Sequence, residues 1–162
     1  MNIREYQPSD REQIVSLLTA LQGYITHLDT LKRKQLTPDF GEKYLSYVLK
    51  TISENEGKFF VADEYGTICG FIIGSIHQPT ENVQLKQVSD KEGNVMELYV
   101  DAMQRGKGVG RRLLATLEAY FEQKSCDFIT LNVLEANESS KGFYEKHGYH
   151  TRARYYVKPM RK

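Results

Sequence analysis

The sequence predicts an α+β domain in which a mixed, mostly antiparallel central sheet is flanked by helices. Three observations lead there. Apolar residues recur at helical spacing in separate amphipathic segments, β-rich runs joined by turn chemistry lie between them, and a glycine-rich loop links one strand to one helix.

The elements follow in chain order. Ile3 to Tyr6 reads as a short first strand, closed by Pro8. Ser9 or Asp10 caps a helix through about Gln22, whose apolar face is Ile14, Leu17, Leu18 and Leu21. The stretch from Gly23 to Leu36 shows no clear period. A second helix begins near Pro38-Asp39 and carries Phe40, Tyr44, Leu45, Val48, Leu49 and Ile52. Proline suits a first helical turn. The period then changes: Lys58 to Ala62 and Ile68 to Ile76 are strands, joined through the hairpin residues Asp63 to Gly66. Val83 to Val88 forms a further expected strand, turning through Asp90 to Gly93 into the next, Asn94 to Val100. After the glycine loop comes a helix from about Val109 to Gln123, with Leu113, Leu114, Leu117, Tyr120 and Phe121. Asp127 to Val133 is a strand. Ser139 to Lys146 is a short helix, with Gly148 placed to take a left-handed cap. Tyr149 onward returns as a strand pair ending near Val157. The expected order is β-α-α-β-β-β-α-β-α-β-β, with one crossover near the glycine loop.

Composition bounds the function. The 162 residues suit one domain, spanning 1–162. Lys plus Arg number 22 and Asp plus Glu 21, a formal net charge of +1, which argues against nucleic-acid binding by bulk charge. No apolar run approaches the roughly 20 residues of a membrane helix. Met1 to Glu5 lacks the apolar stretch of a signal peptide, so a cytoplasmic location is the expectation. Cys69 and Cys126 have no neighbouring Cys or His at metal-ligand spacing, and no metal is expected. Cys69 reads as a small buried filler; a disulfide between the two stays open, a reducing compartment being the better expectation.

The chemistry concentrates in Arg105-Gly106-Lys107-Gly108-Val109-Gly110-Arg111-Arg112. Glycines let consecutive backbone N–H groups converge, because no Cβ blocks the approach. The helix that follows adds its unpaired N–H groups and its dipole. With four cationic side chains nearby, the segment reads as a phosphate or pyrophosphate site; the bland alternative is a flexible basic loop. A dinucleotide fingerprint would need its third glycine at Arg111. A nucleoside-triphosphate loop would need Gly-Lys-Ser/Thr at the helix entrance, where Val109 follows Gly108.

The arrangement resembles the GCN5-related N-acetyltransferase (GNAT) superfamily. Its signature, Gln/Arg-x-x-Gly-x-Gly/Ala, is matched by Arg105, Gly108 and Gly110, after an apolar strand and before an amphipathic helix. A second motif, an Asn seven residues before a Tyr and then a Gly-aromatic pair, is matched by Asn137, Tyr144, Gly148 and Tyr149. The resemblance is strong from Asn94 to Tyr149 and weak in the first half. It implies a GNAT-like acyl-CoA N-acyltransferase fold and a single N-acetyltransferase domain. Its partners would be acetyl-coenzyme A as cosubstrate and an amine acceptor, without nucleic acid or membrane, with a homodimer as the candidate assembly.

The resemblance also implies roles for residues. The pyrophosphate would lie on the amides of Arg105, Gly106, Lys107, Gly108, Val109, Gly110 and Arg111. The pantetheine arm would run beside Leu98, Tyr99 and Val100, with Leu98 and Val100 offering backbone groups as to an added strand. An N–H near Leu98 would polarise the thioester carbonyl. The strand from Asp127 to Val133 would splay away to leave a slot for the acetyl group. Tyr144 would give a proton to the leaving thiolate and touch the cofactor; its bland alternative is a packed aromatic. Glu97 would take the amine's proton, against the alternative that it faces solvent or only binds a cation. Asn137 would contact the cofactor or a water, its alternative being a helix cap. The acceptor region would hold Tyr24, His27, Asp29, Tyr44 and Tyr47, suited to a cationic amine unless these are mainly packing. A non-catalytic acyl-CoA-binding regulatory module of the same fold, or another phosphate-ligand binder, is the rival reading. The acceptor's identity is not legible in these residues.

Overall fold

A computed structural model describes residues 1–80, 84–85 and 91–160. The chain divides into two compact units, Met1–Asn132 and Val133–Lys162.

The first unit contains β1 (Asn2–Glu5), α1 (Arg11–Leu28), α2 (Phe40–Glu54), β2 (Lys58–Glu64), β3 (Thr67–His77), β4 (Glu92–Val100), α3 (Val109–Gln123) and β5 (Phe128–Thr130). The sheet order is β1-β2-β3-β4-β5. The first four strands are antiparallel, and β5 joins β4 in parallel through the α3 crossover. Tyr65 and Gly66 both take positive φ, 55° and 87°, as the tight β2–β3 hairpin requires.

Alternation along the strands sorts the sheet into two faces. Phe71 and Ile73 of β3 pack with Phe59, Val61, and Ile14, Leu18, Leu45 and Val48 of α1 and α2. Gly70 and Gly74, which flank them, face α3. A Cβ on Gly74 would stand 2.7 Å from the Phe121 ring, and one on Gly93 of β4 would stand 2.5 Å from it. The missing side chains let α3 lie close on the sheet, burying Leu113, Leu114, Leu117 and Phe121 completely.

An ion-pair network ties the start of the chain to the sheet. Arg4 on β1 bonds Asp10 at 2.7 and 2.8 Å and Asp63 at 3.0 Å, while the Asp10 carboxylate also accepts the Gln7 N–H at 2.8 Å. The Arg4 guanidinium holds the buried Asp10 carboxyl below its ordinary range.

The mostly antiparallel sheet with flanking helices is the architecture expected from the sequence. Several boundaries differ. Helix α1 continues past Gln22 to Leu28, because Ile25 packs against the core and outweighs the helix cost of Gly23. Glu92 and Gly93 belong to β4, opposite His77 and Ile76, and do not form a turn. The expected strand Val83–Val88 lies outside the described residues except for Gln84 and Leu85; there the Gln84 N–H bonds Thr80 O at 3.0 Å, a helical rather than extended contact. Cys69 is buried, and both cysteines are free thiols. No described helix is long and apolar enough to cross a membrane.

The second unit carries one regular element among its described residues, α4 (Glu138–Lys146), followed by Gly148 at φ 87°. The strand pair expected from Tyr149 to Val157 does not form: the described residues of this unit supply no neighbouring strand, and Tyr155 and Tyr156 stand exposed.

Candidate active site

The site is built around β4. Its register against β3 steps from Ile73↔Glu97 to Gly74↔Val95, which leaves Met96 as an extra residue. Such a bulge bends a strand and re-aims the side chains beside it. The Asp101 N–H bonds the Cys69 carbonyl at 2.9 Å. Counting back in twos, Tyr99 and Glu97 give their backbone groups to β3, while Leu98 and Val100 turn theirs to the opposite edge. Pairing with β5 ends at Asn94↔Thr130, so β5 is shorter than the expected Asp127–Val133. Among the described residues no strand covers the edge from Leu98 to Val100. The Val100 carbonyl accepts Arg105 Nε at 3.0 Å.

Beyond Val100 the Asp101 carboxylate caps a short turn through the Met103 N–H at 2.9 Å. Gly106 and Gly108 then take left-handed φ values of 76° and 81°, and Gly108 is the N-cap of α3. The first backbone bond of the helix runs from the Arg112 N–H to Gly108 O at 3.1 Å. The N–H groups of Val109, Gly110 and Arg111 therefore have no intrahelical acceptor. A Cβ on Gly106 or Gly108 would meet nothing within 4 Å, so the backbone is open to an approaching anion. Arg105 folds back, its guanidinium 5.8 Å from the centroids of both Tyr24 and Tyr99. Lys107 Nζ bonds Gln104 Oε1 at 3.1 Å.

Glu97 points to the α1/α2 side of the sheet, where the Tyr44 hydroxyl donates to its Oε1 at 2.5 Å. Burial pushes the Glu97 carboxyl above its ordinary range; the Tyr44 hydrogen bond and the charge of Lys34 pull part of the way back. Burial and the Glu97 charge together push the Tyr44 phenol up, so it stays protonated as the donor. Tyr44 is the centre of a stacked row on α2. Phe40 lies 5.1 Å away and Tyr47 5.9 Å away by ring centroids, and Tyr47 is 57% exposed.

Asp29, expected among acceptor-binding groups, is spent otherwise. Its carboxylate accepts the N–H groups of Leu31, Arg33 and Lys34 at 3.1, 2.6 and 2.7 Å. These bonds hold it below the ordinary carboxylate range and fix the loop that carries Lys34. The Tyr44–Glu97 bond spans 53 positions and has no sequence signal of its own. The only trace is the aromatic spacing at 40, 44 and 47 on one helical face.

Asn137 and Tyr144 lie in the second unit. Asn137 Oδ1 accepts the Ser140 N–H at 3.2 Å as the α4 cap. Tyr144 sits in an aromatic group, edge-on to Phe143 at 5.2 Å and to Tyr149 at 5.5 Å. His147 Nδ1 donates to Phe143 O at 2.7 Å. No cluster of three acidic, Cys or His side chains able to hold a metal occurs among the described residues.

A strand edge that no strand among the described residues covers from Leu98 to Val100, leading into a glycine-capped helix, suits an extended ligand bearing phosphate, and a carboxylate stands on the adjoining face. Fold and site together define an acyltransferase-like domain of the α+β class. The chain belongs to the acetyltransferase (GNAT) family, whose model matches residues 25–149. An uncharacterised N-acetyltransferase of Methanocaldococcus jannaschii is 34% identical over 95 residues, 58% of this chain and 53% of that protein. A mycothiol acetyltransferase of Thermobispora bispora is 27% identical over 159 residues, 92% of this chain and 46% of that protein. The chain thus spans about half the length of these two curated relatives. A solved mutant protein of Bacillus halodurans shares the fold with a TM-score of 0.82 at 21% identity, covering 99% of each chain.

Proposed function

We propose that the chain transfers an acetyl group from acetyl-coenzyme A to a primary amine of a small molecule or peptide, by direct attack on the thioester. The open edge of β4 running into the Gly108 cap carries this reading, since it offers backbone donors to a pantetheine arm and an anion cradle to its pyrophosphate. Family membership supports the cosubstrate. Glu97 takes a proton from the ammonium, and the nitrogen lone pair so released attacks the carbonyl carbon. The C–S bond breaks, the second nitrogen proton passes to solvent, the thiolate leaves as the thiol, and the tyrosine that protonates it regains a proton from solvent. Tyr144 is assigned the proton given to sulfur on the strength of its motif.

The test is a screen of acetyl-coenzyme A against polyamines, aminoglycosides, amino acids and peptide N-termini, with detection of the free thiol. Turnover with an amine, strongly slowed by Glu97→Gln at neutral pH, is the expected result. Tight coenzyme A binding with no turnover across the panel would replace the enzyme by a regulatory module.

A further inference from the structure

We infer that Tyr44 is a positioning residue: its hydroxyl fixes the Glu97 carboxylate through Oε1 and leaves Oε2 to receive the acceptor's proton. The inference rests on the reading of Glu97 as the base.

Four observations carry it. The bond is short, 2.5 Å, and joins α2 to β4 across the sheet face. Glu97 follows the bulge at Met96, so its direction is set by an irregular backbone and needs a second restraint. Tyr44 is itself held between Phe40 and Tyr47 in a row with interplanar angles of 20° and 23°, which fixes the ring that carries the hydroxyl. Among the described residues, the charged and titratable groups acting on Glu97 are Tyr44 on α2 and Lys34 on the loop organised by Asp29, with Tyr47 stacked behind Tyr44.

A neutral donor is the appropriate partner for such a base. A lysine or arginine at this distance would neutralise the carboxylate and make it a poor proton acceptor. A phenol that stays protonated supplies one hydrogen bond, offsets part of the burial penalty on the ionised form, and adds no opposing charge that would compete with the ammonium. The proton balance is simple. An ammonium N–H proton passes to Oε2 as the nitrogen gains its lone pair, and Glu97 later returns that proton to solvent.

Tyr44→Phe keeps the ring and the stack and removes only the hydroxyl. Loss of the donor raises the Glu97 pKa further, so the acidic limb of kcat/KM against pH moves to higher pH. At pH 7 kcat falls about tenfold, the scale of one hydrogen bond to a charged group, while KM for acetyl-coenzyme A stays unchanged. In a Glu97→Gln background the same change adds little, because the two act as a unit. Carbon-13 NMR titration of the Glu97 carboxyl, without any substrate, separates this inference from the reading beneath it. A raised carboxyl pKa in Tyr44→Phe together with a shifted rate profile supports both. An unchanged carboxyl pKa overturns the positioning role of Tyr44. A raised carboxyl pKa with an unchanged rate profile overturns Glu97 as the base, and the role of Tyr44 falls with it.

Discussion

The two faces of β4 and its sheet are built to different ends. The α3 face is apolar at its centre: Leu113, Leu114, Leu117 and Phe121 are fully buried, and Gly74 and Gly93 give up their side chains to bring the helix close. The α1/α2 face has an equally buried core in Ile14, Leu18, Leu45 and Val48, yet it admits a carboxylate and a phenol beside them. Burying an ionised group costs free energy that packing leucines does not. The first face therefore holds the molecule together, and the second surrenders stability at Glu97, the base in the proposed reaction. The expected effects of substitution divide along this line.

The largest effect on folding is expected on the α3 face. Phe121→Ala should cost about 3–5 kcal/mol, read as a lowered denaturation midpoint, with kcat of the folded fraction unaltered. A loss below about 1 kcal/mol would show that α3 is not packed as described.

Between the two faces lies the glycine loop. Gly108→Val forces a β-branched residue to φ 81° and fills the space through which an anion would reach the amides. Coenzyme A affinity should fall by about 10–100-fold in a folded variant, by calorimetry, on the scale of one or two charge-assisted hydrogen bonds. Unchanged affinity would remove the loop from the binding site.

Asp10→Asn tests the ion-pair network apart from both faces. It should cost about 1–3 kcal/mol at neutral pH. Because the folded pKa of Asp10 is depressed, its contribution is fully present above the unfolded value of about 3.9 and is lost as pH falls through the folded value. The gap between variant and wild type should close in acid; a gap that stays constant to pH 2 would contradict the ionic origin.

The smallest stability effect, with the opposite sign, is expected from Glu97→Gln. The folded pKa of Glu97 is raised, so the ionised carboxylate favours unfolding once pH exceeds the unfolded value. Glu97→Gln should melt at the same temperature as wild type or higher at neutral pH. A clear drop would mean that the carboxylate is structural.

The same division explains what could be read from the residues alone. Helix α3 was legible to its limits, Val109–Gln123, because a glycine entrance and an unbroken 3.6-residue period coincide there. Glu97 could be singled out as a candidate on β4, since strand and motif fix its place in the chain. Its partner could not, because Tyr44 meets it through tertiary packing of a helix 53 positions away. The extension of α1 over Tyr24 to Leu28 was hidden by Gly23, whose local cost is overridden by Ile25 in the core. The role of Asp29 was hidden because three backbone amides, with no side-chain signature, consume its carboxylate. The tail from Tyr149 to Val157 has strand-like residues, but a strand is defined by its neighbour, which composition does not report.

The most direct measurement is the pH dependence of kcat/KM for wild type and Glu97→Gln with the best amine from the screen. If Glu97 is the base, the wild-type rate falls in acid at a pH above the ordinary carboxylate range, following the raised pKa of the buried group. The variant should be slower by about 10²–10⁴-fold at pH 7. Its rate should climb toward the wild-type value as pH approaches the amine's own pKa, about 10.4 for an alkyl amine, where free amine no longer needs a base. Two profiles that overlay across the whole range would contradict the account.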